Sequence, residues 1–81
     1  MKQIAIYRHN AGNNSVEQVM RNGKECFNGN ALEVKREILR LRKQAKENYL
    51  NTSTDMKLNE FVSGYMSKYY FVDIKNHSWY Y

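Results

Sequence analysis

Asn30 to Leu50 reads NALEVKREILRLRKQAKENYL, and this stretch decides the fold. Val34, Ile38, Leu41, Ala45 and Tyr49 recur at helical spacing and form one apolar stripe. Asn30 can cap the first turn, and Glu33 stands three residues on, where a capping box places its acid. One long amphipathic helix is predicted, and the rest of the chain must supply the surface that buries its stripe.

Working outward toward the C-terminus, Asn51 to Asp55 (NTSTD) is a polar connector with two capping candidates, Thr54 and Asp55. A second helix is predicted through Tyr69, because Leu58, Phe61, Val62, Tyr65, Met66 and Tyr69 fall at i, i+3, i+4 spacing. Gly64 inside it lowers helix propensity by up to about 1 kcal/mol, which points to close packing or a local bend there. Tyr70 to Lys75 (YFVDIK) reads as a last strand, with Tyr70, Val72 and Ile74 on one face and Phe71 and Asp73 on the other. Asn76 to Tyr81 (NHSWYY) turns and finishes on three aromatics.

Toward the N-terminus, Gly29 precedes the helix and Ser15 to Asn28 (SVEQVMRNGKECFN) has two readings. Asn22-Gly23 is a preferred type I′ hairpin pair, which would put Val16, Met20 and Phe27 on one face and Val19 and Cys26 on the other. The rival is a short helix from Ser15 to Arg21, capped by Ser15 and stopped at Gly23. The hairpin is the preferred reading. Lys2 to Arg8 (KQIAIYR) alternates as a half-buried strand, and His9 to Asn14 (HNAGNN) as a loop.

The resulting order, β-β-β-α-α-β, predicts an α+β fold: a small antiparallel sheet with two helices packed on one face. The last strand is expected beside the first, since an edge must be covered in so small a sheet. No repeat or linker interrupts residues 1–81, so a single domain is expected.

Eighty-one residues lie near the lower end of what one core stabilises alone, which favours a dimer or a tight partner. Thirteen Lys and Arg against eight Asp and Glu give a net charge of +5, which favours anionic partners. Cys26 is the one cysteine, so no disulfide can form within the chain. No apolar stretch is long enough for a leader or a membrane span, so a cytoplasmic location is expected and no membrane partner. On that expectation the Asn-x-Ser patterns at Asn13, Asn51 and Asn76 are chance matches. Proline is absent while Asn, Lys and Tyr abound, a composition associated with AT-rich genomes such as those of phages or mobile elements.

No catalytic constellation is visible. His9 and His77 are isolated, and there is no Cys-x-x-Cys, His-x-x-x-His, phosphate loop or nucleophile elbow. Cys26, in a predicted strand, reads as a small semi-buried thiol. A metal site from His9, His77 and Asp73 would require both ends of the chain to meet. No enzyme activity, cofactor or metal is expected.

The long helix offers a sharper feature. Glu33 and Glu37 each precede an arginine by three residues (Arg36 and Arg40), and Lys43 has Glu47 one turn on, so that face pairs with itself. Lys35, Arg42 and Lys46 share another ridge with no acid at matching spacing, and Leu32 and Leu39 run along the same flank. Such a ridge suits a partner; alternatively the second helix or a dimer mate covers the leucines while the basic side chains reach past it. Eight of the eleven aromatics lie from Phe61 onward. Core stripes account for most of them but not for Trp79, Tyr80 and Tyr81, which either fold back over the core or stand out as anchors.

Three functions are therefore in play. The first is a non-enzymatic protein that docks on and modulates or inhibits a larger nucleic-acid-processing or defence complex, in the manner of anti-CRISPR proteins. Its contacts would be Leu32, Lys35, Leu39, Arg42 and Lys46, with the terminal aromatics as anchors. The second is direct DNA or RNA binding, in which Arg8, Arg21 and Lys24 join the basic ridge at phosphates. The third is a homodimeric assembly component with the leucine flank as its seam. The positive charge is dispersed and partly self-paired, which places the docking protein first.

Overall fold

The computed structural model describes residues 2–10 and 15–80. In chain order they form β1 (Ile4–Arg8), α1 (Val16–Asn22), β2 (Lys24–Gly29), α2 (Ala31–Leu50), α3 (Leu58–Met66), β3 (Tyr69–Asp73) and β4 (Ser78–Trp79). The fold is α+β. The strands make one antiparallel four-stranded sheet in the order β2-β1-β3-β4, so the strand at the chain's start pairs directly with β3.

α2 forms for the reasons written in its residues. The Asn30 side chain accepts from the Glu33 N–H at 2.9 Å, and Glu33 Oε1 accepts from the Asn30 N–H at 3.0 Å, which completes the capping box. Val34 and Ile38 then bury against Ile4 and Ile6 of β1, and Phe27, Phe71 and Tyr80 pack around them. Each such aliphatic side chain contributes about 1.5–3 kcal/mol by leaving water. The helix is longer than the sheet it covers, and its C-terminal half packs on α3. There Tyr49 meets Phe61 edge-on, with ring centroids 5.4 Å apart, and its hydroxyl donates to the Met56 carbonyl at 2.8 Å.

The segment before β2 is a helix, which corrects the hairpin reading. Ser15 Oγ accepts from the Gln18 N–H at 3.2 Å and Gln18 returns the bond to Ser15 N–H, a second capping box. Gly23 ends α1 in an extended conformation (φ −77°), not the left-handed one a type I′ turn requires. Burial decides the matter. Val19 is fully buried against Ala5, Tyr7 and Val72, on the sheet face opposite α2. The sheet is thus covered on both faces rather than one, and β1 is buried on both sides instead of half-buried.

Three smaller expectations also change. β2 skips one residue against β1, since Ile6 pairs with Phe27 and Tyr7 with Glu25; Cys26 is the extra residue of this bulge and its thiol is exposed. α3 ends at Met66, leaving Tyr69 to start β3, and its N-cap is Lys57 without a side-chain bond; Thr54 accepts instead from the Met56 N–H within the connector. Outside its own helix Gly64 has no neighbour within 4 Å of where a Cβ would stand, so close packing does not explain it.

Candidate functional site

α2 lies across the sheet with two unlike flanks. The flank toward β2 carries Glu33, Arg36, Glu37 and Arg40 beside Phe27. Glu37 forms an ion pair with Arg40 and holds that guanidinium even more firmly protonated, first through the hydrogen bond and then through its charge. It is the one ion pair on α2 among the described residues, because Glu33 turns to its capping bond instead of to Arg36. This side is electrically balanced.

The flank toward β4 is not. Three hollows run along it, joined through shared walls. The first, about 280 Å³, lies between Leu32, Lys35 and Tyr80. The second, about 490 Å³, shares Ile38 with it and is walled by Arg42, Met66, Tyr69, Phe71 and Trp79. The third, about 680 Å³, shares Arg42 and Met66 and opens between α2 and α3 beside Lys46, Leu58 and Val62. Among the described residues no Asp or Glu lines any of the three. The leucines stay in water: Leu32 is 58% and Leu39 62% exposed, so neither α3 nor the sheet covers them.

The terminal aromatics divide. Tyr80 folds back on the cluster of Ile4, Ile6, Val34 and Ile38, and the Tyr80 N–H donates to the Phe71 carbonyl at 2.8 Å. Trp79, opposite Val72 in the register, remains 40% exposed and leans on Tyr70 with centroids 5.7 Å apart. Tyr81 lies outside the described residues. The turn that delivers both rings is tied at its base. Buried Asp73 accepts from the Asn76 N–H at 3.3 Å and from its side-chain amide at 3.0 Å.

The remaining sequence candidates sit elsewhere. Arg8 and Lys24 face each other across β1 and β2, and Arg21 is in the last turn of α1. None of the three lines the groove. Conversely, the groove uses Met66, Tyr69, Phe71, Leu58 and Val62, which the sequence presents only as core stripes. Burial raises the Tyr69 phenol above its ordinary range, with the neighbouring Tyr65 hydroxyl adding to the shift.

The residues weighed for a metal take other partners. His9 meets the Tyr70 ring at 6.5 Å, and His77 Nδ1 lies 3.2 Å from Glu17. Among the described residues no three His, Cys, Asp or Glu side chains cluster so as to hold a metal ion. None of the described helices is long and apolar enough to cross a membrane. No protein-family model, curated protein or solved structure matches this chain.

Proposed function

We propose that this chain is a small non-enzymatic interaction protein that docks through the β4-side flank of α2 on a larger complex and modulates or inhibits it. The observation that carries the reading is the exposure of Leu32 and Leu39 on the same helix flank as Lys35, Arg42 and Lys46, with no acid lining the hollows beside them among the described residues. Aliphatic side chains left in water next to uncompensated cations gain free energy only when a partner covers the first and neutralises the second. A nucleic-acid-processing or defence machine, whose surfaces are acidic or carry RNA, is the kind of target this charge suits.

Direct nucleic-acid binding is the second reading, favoured by the cationic rim, which no acid lines among the described residues, and by the Tyr69 and Phe71 rings in the groove wall, which suit phosphates and unpaired bases. Fluorescence anisotropy on a mixed DNA and RNA panel, repeated across a salt series, separates the two. The docking reading expects no appreciable binding at low salt. Tight binding whose log–log salt slope reaches several units would transfer the function to direct phosphate contact.

A further inference from the structure

We propose that the three joined hollows along α2 receive an acidic amphipathic helix of a partner protein. The inference rests on the docking reading and names what that flank docks with.

Charge complementarity selects the sign. Lys35, Arg42 and Lys46 stand along the groove, and no acid lines it among the described residues. Of the three helix acids, Glu33 and Glu37 line the opposite flank beside Arg36 and Arg40, and Glu47 lines none of the three hollows. An incoming carboxylate therefore meets three cations and no competitor.

Apolar chemistry selects the class of occupant. The groove mixes aliphatic walls (Ile38, Leu58, Val62, Met66) with rings; Leu32 lines its first hollow, and exposed Leu39 lies on the same helix flank. A nucleic acid stacks on rings but gains little by covering leucines, whereas an apolar helix face buries both. Geometry selects the shape. From Leu32 to Lys46 the groove follows fourteen residue steps of α2, about 21 Å, or roughly four turns of a helix laid alongside. The hollows succeed one another at one-to-two-turn intervals, which is the spacing of i, i+4 and i+7 anchors. A second copy is disfavoured as occupant, since a two-fold interface would face each cationic ridge with itself.

The test uses three fluorescein-labelled designed peptides of about sixteen residues. One has leucines at i, i+4, i+7 and i+11 with glutamates on both sides; the second is a scramble of that composition without an apolar face; the third replaces every Glu by Lys. Anisotropy with the full chain should show the patterned acidic peptide binding at least tenfold tighter than the scramble, with no binding of the Lys peptide. The double variant Leu32→Ser/Leu39→Ser, at exposed positions, should lose most of that tenfold preference while its circular dichroism stays unchanged. Equal binding of patterned and scrambled peptides would overturn the inference, leaving a merely electrostatic surface. Failure of all three peptides, with nucleic acid also unbound, would overturn the helix inference and leave the docking reading standing. A labelled single-stranded oligonucleotide that binds where the peptides fail would remove both.

Discussion

Replacing Asp73 by Ala tests how the β3–β4 turn holds the aromatic side of the groove. The carboxylate is 3% exposed and accepts both the backbone and the side-chain amide of Asn76, while Lys2 Nζ lies 4.0 Å away. Hydrogen bonds to a charged acceptor each contribute about 1.5–3 kcal/mol where water is excluded, and about 1 kcal/mol where the donor can rehydrate. Asn76 is exposed, so the lower figure applies to each bond and the loss comes to about 2 kcal/mol. For a domain this size that lowers Tm by roughly 8–16 °C. Asp73→Asn, which keeps one oxygen acceptor, should lose about half as much. Trp79 is the only tryptophan, six residues on, so its fluorescence reads the turn directly. Urea melts followed by that fluorescence and by circular dichroism should give a lower midpoint with an unchanged slope, and native Asp73→Ala should emit further to the red. A variant within 0.5 kcal/mol of wild type and with unchanged emission would refute the assignment of the turn's stability to Asp73.

Three other outcomes are expected. Gly64→Ala should raise stability by about 0.5–1 kcal/mol in a urea melt, because the added methyl meets open space on a helix that already pays glycine's backbone entropy. Gly23→Ala should do the opposite by more than 1 kcal/mol, since its Cβ would stand 2.6 Å from the Val19 carbonyl oxygen that accepts the Gly23 N–H at 2.8 Å. Stability should also fall as pH climbs past about 10. Burial raises the folded-state values of the Tyr7 and Tyr69 phenols, so above the unfolded value the unfolded chain sheds protons the folded one retains. Phe at either position should flatten that alkaline decline in a pH series of melts.

How much of this was legible in the sequence differs between elements. α2 was legible because its capping box, stripe and length agree with one another. The division of residues 70–74 into a Tyr70, Val72, Ile74 face and a Phe71 face followed from alternation alone, and the two sheet clusters keep it. The stretch before β2 was misread because Asn22-Gly23 carries a strong local turn preference. Seven residues of helix have little stability of their own, and the contact that decides between the readings is Val19 on Ala5, Tyr7 and Val72, from strands distant in sequence. The exposure of Cys26 was hidden likewise, because a bulge shifts the alternation and no residue type announces it. At the candidate site, the shared flank of Leu32, Lys35, Leu39, Arg42 and Lys46 was readable from helical spacing. That this flank overhangs β3, β4 and α3 was not, because it depends on strand order and on how the second helix lies beside the first.

The most direct measurement is a charge exchange between the chain and the designed peptides. Lys35, Arg42 and Lys46 changed together to Glu leave the buried stripe untouched, so circular dichroism and oligomeric state should stay as in wild type. Docking through this flank predicts that the triple variant loses the patterned acidic peptide and gains the Lys peptide, a reversal of preference in the same anisotropy titration. A triple variant that still binds the acidic peptide at wild-type strength would show that the flank is not the docking surface.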